Sequence, residues 1–150
     1  MGLTSSVCAE VVTKGKEKGI PDARTVETAI TQEWLQVLAL TAGEKRSAHT
    51  LAARFRGLSQ ADCETLACTR ARSLTLLMEE RRGRNVARAY AIPYVTIQVF
   101  PLYGFINGSL TAEQCDDLLV KIGQAMHTDL AVLEALRTAA REIKRVRGKE

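Results

Sequence analysis

SQADCETLACTRARSLTLLMEE, Ser59–Glu80, compresses a whole helix-to-strand step into one stretch. Ser59 followed by Asp62 is an N-cap with an acid at N3, close to a capping box, and predicts a helix to about Arg72. Leu74–Met78 is short and almost wholly apolar, the pattern of a strand buried on both faces. A helix over 59–72 and a strand over 73–78 each span roughly 20 Å, so the chain climbs back to the edge it left. Asp62, in the first helical turn, and Glu79, just past the strand, therefore share the carboxyl edge, where ligands bind in open parallel sheets. Two acids there could hold a divalent cation. An acid at N3 also serves its own helix, by about 0.3–1 kcal/mol. Glu79 and Glu80 beside Arg81 and Arg82 read equally well as a solvated charge cluster.

Outward from this stretch the same alternation continues. Ser5 or Ser6 caps a helix to about Lys14 with Val7, Val11 and Val12 on its apolar side, and Lys14–Gly19 reads as a solvated loop. Pro21 and Asp22 open a helix to about Gln32, and Trp34–Leu40 predicts a strand. Glu44–Phe55 is a helix with Ala48, Leu51, Ala52 and Phe55 inward, ended by Gly57. Beyond Glu80, Arg81–Tyr90 is helical and Tyr94–Gln98 a strand. Thr111 with Gln114 opens a helix to Met126, and Thr128 caps a last one to about Arg147. Strands alternating with helices predict an α/β fold, a three-layer sandwich around a parallel β-sheet, with residues 1–150 as a single domain.

Composition narrows the class. A chain of 150 residues, 46% hydrophobic and 25% charged, has enough apolar surface to fold without disulfides or a structural metal. The uncharged stretch Ala89–Ala112 is broken by Pro93, Gln98, Pro101, Gly104 and Asn107, which argues against a membrane span. The N-terminus lacks a basic segment leading into a long apolar core, so no secretory signal is expected. Met1-Gly2 with Ser6 matches a loose lipidation pattern, but both serines read better as helix caps. Cys8, Cys63, Cys68 and Cys115 form no C-x-x-C pair, and His49 and His127 are remote, which points away from zinc and toward reduced thiols in a cytoplasmic protein.

The segments Val7–Val12, Leu58–Asp62, Leu76–Arg84 and Ala91–Val95 come in the order and spacing of a known family. The chain resembles the PIN-domain nucleases, including the VapC-like toxins of toxin–antitoxin pairs, over nearly its whole length. The resemblance implies a PIN-like α/β fold and acids that hold Mg²⁺ or Mn²⁺, which activates water against an RNA phosphodiester. Carried over by position, Glu10, Asp62 and Glu79 would be the catalytic, metal-binding acids, with Glu64 or Glu80 as an accessory. The family's first strand and its Asp would precede Glu10, so the chain is expected to be N-terminally incomplete. Glu79 stands where Asp is usual, and Leu77-Met78 replaces the Thr or Ser often found before it. Sheet edges left open by a missing strand favour association, so a homodimer is expected. A toxin role would imply an antitoxin protein as partner.

Arg81, Arg82, Arg84 and Arg88 cluster beside these acids and suit RNA. Arg137, Arg141, Lys144, Arg145, Arg147 and Lys149 crowd the last helix, where they equally complement its dipole. Aromatic residues make up only 5% of the chain, so no broad base-stacking platform is expected. Two functions follow: a metal-dependent endoribonuclease, or a non-catalytic PIN-like module that binds RNA or a protein through an incomplete metal site.

Overall fold

A computed structural model describes residues 1–147. Its backbone contacts divide the chain into two compact units, Met1–Tyr94 and Val95–Glu150.

The first unit opens with β1 (Gly2–Thr4), then α1 (Ser5–Cys8), a π-helical stretch (Ala9–Thr13) and α2 (Lys14–Glu17) without a break. It continues with α3 (Asp22–Thr31), β2 (Gln36–Leu38), α4 (Ala42–Arg54), α5 (Gln60–Ala71), β3 (Leu76–Leu77) and α6 (Arg81–Ala89), and ends at Tyr94, the first residue of β4 (Tyr94–Val95). β1 and β2 are parallel, with Gly2 opposite Gln36, Leu3 opposite Val37 and Thr4 opposite Leu38. β3 pairs with β4, and the Leu76 amide donates to the Pro93 carbonyl at 2.9 Å. The architecture is α/β, as the alternation of the sequence predicts, with its strands in two small sheets rather than one continuous sheet.

Several local expectations are corrected. Residues 2–4, assigned to no element by their pattern, form β1, and Ser6 spends its hydroxyl on Glu64 instead of capping α1. The expected loop at Lys14 is helical through Glu17, because Gly15 is a contact point and not a breaker: a Cβ there would sit 2.9 Å from the Ala23 Cβ. Leu74–Met78 is not buried on both faces, since Leu76 and Met78 point inward while Leu74 and Leu77 are exposed. The inward pair packs into the core, and among the described strands β4 is the one partner of β3. The expected strand Tyr94–Gln98 stops at Val95 and turns through a 3-10 segment, Ile97–Val99.

The core of the first unit lies between α4, α5, β3 and α6. Leu66 and Leu76 are completely shut off from water, with Ala48, Val86 and Ile92 around them. Burying a leucine like Leu66 stabilises the fold by roughly 1.5–3 kcal/mol. Thr41 and Glu44 form a full capping box at the start of α4. Arg72, which ends α5, reaches the Glu44 carboxylate at 2.7 and 2.9 Å and the Ala39 carbonyl at 2.7 Å, clamping α5 to α4 and to the chain leaving β2. Gly83 lies so close to Met78 that a Cβ would come 2.6 Å from its sulfur, and this holds the first turn of α6 against the end of β3.

The second unit is helical: α7 (Phe100–Ile106), α8 (Ala112–Ala125) and α9 (Leu130–Arg147). Phe105, Cys115, Leu119 and Ala140 form its core, flanked by Leu133, Leu136 and Ile143 at helical spacing on α9. The capping box of Thr111 and Gln114 is present as expected. Asp129 takes the part expected of Thr128, its carboxylate accepting from the Ala131 amide at 2.8 Å. No described helix is long and apolar enough to cross a membrane.

Candidate functional site

Two of the acids singled out by the sequence, Asp62 and Glu80, serve as caps at helix starts. Asp62 completes a capping box at the N-terminus of α5: its amide donates to the Ser59 hydroxyl at 3.0 Å. Its Oδ2 accepts from the Ser59 amide at 3.0 Å and the Ser59 hydroxyl at 2.8 Å. Glu80 caps α6, its Oε2 accepting from the Gly83 amide at 2.7 Å. Each carboxylate uses one oxygen for its cap, and its second oxygen takes no part in it.

Glu64, one turn into α5, joins two distant segments. Its Oε2 accepts from the Ser6 hydroxyl at 2.5 Å and its Oε1 from the Gln60 amide group at 2.9 Å. Thr4 and Thr65 bring their hydroxyls to 3.5 Å beside this bond. The helix that carries Glu10 is thus fastened to the helix that carries Asp62. Glu10 itself is exposed and lies in the π-helical stretch Ala9–Thr13, a backbone irregularity that recurs at functional sites. Glu79 is exposed just before α6, and its carbonyl accepts a hydrogen bond from the Arg84 guanidinium.

Carboxylate oxygens are the right donors for a hard cation such as Mg²⁺ or Mn²⁺. Among the described residues no three Asp, Glu, His or Cys side chains come together as a ligand set. Glu64 is tied to Ser6, and one oxygen each of Asp62 and Glu80 is engaged in a cap. The arrangement as it stands holds the starts of α5 and α6 rigidly and presents negative charge there.

The arginines of α6 differ in their freedom. Arg81 and Arg82 are exposed, Arg82 lying over Gly57, whereas Arg84 is drawn to the Glu79 carbonyl. Arg88 donates to the Tyr94 hydroxyl at 2.8 Å with its guanidinium 6.0 Å from that ring's centre. In the last helix, Arg137 is committed to Asp116 at 2.7 and 2.9 Å and to Glu134 at 3.0 Å, and Arg145 to Glu142. Arg137 holds the Asp116 carboxyl below the ordinary carboxylate range. Burial pushes the Cys63 thiol up, with the charge of Asp62 adding to it, and burial does the same at Cys68 and Cys115, so these thiols stay protonated.

One cluster escaped the sequence reading. Arg54 donates to the Tyr90 hydroxyl at 3.1 Å, and Arg70 stacks 4.9 Å from the Tyr90 ring centre. Phe55 meets the same ring edge-on at 6.1 Å. These residues are dispersed over three helices, and nothing in their local spacing announces the contact.

No curated protein and no solved structure matches this sequence. A family model described as a PIN domain, DUF3368, matches residues 1–99, a span that takes in Glu10, Asp62, Glu64, Glu79 and Glu80 together with the arginines of α6. That match covers well over half of the chain, and with the α/β architecture and the acids at the starts of α5 and α6 it establishes that the chain belongs to the PIN-domain family.

Proposed function

We propose that this chain is a PIN-type endoribonuclease dependent on Mg²⁺ or Mn²⁺, with Glu10, Asp62 and Glu79 as its catalytic acids and Glu64 and Glu80 as accessories. The family match across residues 1–99 carries this reading. A divalent cation, when bound, supplies charge neutralisation at the scissile phosphate and a more acidic water. The chain's own part is to place carboxylate oxygens at the starts of α5 and α6 and to hold phosphates on Arg81, Arg82, Arg84 and Arg88. The same reading carries a toxin of a toxin–antitoxin pair, with an antitoxin protein as partner, a homodimer, and a cytoplasmic setting supported by the buried thiols.

The test is cleavage of a single-stranded RNA in Mn²⁺ by the parent chain and by Asp62→Asn. Cleavage that needs the cation and disappears in the variant is expected. Asn at this position can still accept from Ser59, so the variant keeps its cap and its fold. Equal cleavage by a folded Asp62→Asn protein, free of contaminating nuclease, would overturn the assignment of the site.

The arrangement of the acids favours a second reading: a PIN-like module that binds RNA or a protein without turnover. No three acids gather among the described residues, and Asp62 and Glu80 serve as caps. Titration with Mn²⁺ separates the two readings. Stoichiometric binding lost in Asp62→Asn supports the nuclease, whereas retention of RNA with no cation uptake supports the binding module.

A further inference from the structure

Far along α5 and α6 from the acids lies a cavity of about 340 Å³, enclosed by α4, α5, the end of α6 and Ile92. Asp62 and Glu80 cap the N-terminal ends of α5 and α6; Arg70, Ala71 and Tyr90 line this cavity at their C-terminal ends. Its volume falls in the range of small-ligand pockets.

We infer that this pocket binds a nucleotide, the base entering between the alanine face of α5 and Tyr90, and the phosphate resting on Arg70 and Arg54 at the rim. The walls fit a flat ring. Ala67 and Ala71 add little bulk to the lining, and Tyr90, which also lines it, is held by Arg54, Phe55 and Arg70 together. A wall fixed in this way loses little freedom when a ring stacks on it. Ser47 adds a hydroxyl that can meet the heteroatoms at a base edge, and Thr50, whose hydroxyl donates to the Arg46 carbonyl at 3.0 Å, can still accept.

The charge fits an anion. Arg70 is the only ionisable cation among the lining residues, and no carboxylate is among them. Among the described residues, the hydrogen bonds and ion pairs leave the Arg70 guanidinium unused; its one specific contact is the Tyr90 face. Arg54, joined to the Tyr90 hydroxyl, places a second guanidinium beside it. Planar guanidinium donors are suited to phosphate oxygens. The nucleotide can be free in solution or an unpaired residue of an RNA strand.

Calorimetric titration of the full chain distinguishes these sources. The probes are the four ribonucleoside monophosphates, the matching nucleosides, inorganic phosphate and a short unpaired oligoribonucleotide. Binding of at least one monophosphate is expected, with the nucleoside and phosphate alone weaker. Arg70→Ala, which removes the phosphate donor, and Ala71→Trp, which fills the slot from an exposed position, should each weaken it by about tenfold or more. Thermal melts confirm that both variants fold. Binding of the oligoribonucleotide alone, with the same dependence on both variants, supports the pocket with RNA as its source. No binding of either class, binding indifferent to both variants, or phosphate binding as tightly as the monophosphates would overturn it. The titrations are run without any divalent cation, so a failure of the cation-dependent nuclease assignment leaves their result standing.

Discussion

Glu44 shows how much a single carboxylate organises in this fold. It is buried, receives the Arg72 guanidinium through two hydrogen bonds, and accepts a third from the Thr41 backbone amide at 2.7 Å. The hydrogen bond from Arg72, then that from Thr41, holds its pKa at about 2, below the ordinary 4.5. The charged form is therefore favoured by folding, and the stabilisation is fully present above the unfolded value and lost as pH falls through the folded one. Glu44→Gln should be less stable than the parent at neutral pH, with the gap closing between pH 4.5 and about 2. Urea titrations across that window check it, and a gap that stays constant would remove Glu44 as the cause. Gly57 makes a second case: its φ of +105° is strained for any residue with a Cβ, which would also meet the Arg82 guanidinium. Arg82 can swing aside, so the backbone strain dominates, and Gly57→Ala should cost about 1–2 kcal/mol of unfolding free energy, read from a denaturant titration.

Among the elements, α5 carries the most consequence, because one face fills the core while its N-terminal turns present Asp62 and Glu64. Leu66 is wholly buried among Ala48, Leu76 and Val86 and their neighbours. Leu66→Ala should cost about 2–5 kcal/mol, read from equilibrium unfolding, and a loss below about 1 kcal/mol would mean that the core collapses around the gap. This helix was legible in the sequence because its signals are local: Ser59 and Asp62 are one turn apart and the apolar positions recur within it. The strands were less so. Leu74–Met78 has the composition of a doubly covered strand, but what packs against each face decides coverage, and that is a tertiary fact: Leu76 and Met78 meet the core while Leu74 and Leu77 stay exposed. The part of the site built on caps was equally readable at Asp62. The bond from Ser6 to Glu64 joins residues 58 apart and the one from Arg54 to Tyr90 residues 36 apart, and no local pattern encodes either.

For the whole chain, the net charge of +4 understates how cations and anions are distributed. Arg72, Arg137 and Arg145 are already paired with carboxylates, whereas Arg81 and Arg82 stand exposed at the start of α6. If RNA is held as proposed, its phosphates should lie on these free guanidiniums and not on the paired residues of the last helix. Each phosphate neutralised on a single strand contributes about 0.7 to the slope of log affinity against log salt, through counterion release. Arg81→Gln with Arg82→Gln should thus flatten that slope by about 1.4, while Arg145→Gln leaves it nearly unchanged. Anisotropy of a labelled unpaired RNA between about 50 and 200 mM salt measures both. An unchanged slope in the double variant would move the RNA off α6. A slope that responded to Arg145 instead would place it on the last helix, where the sequence crowds its basic residues but the structure has paired Arg137 and Arg145.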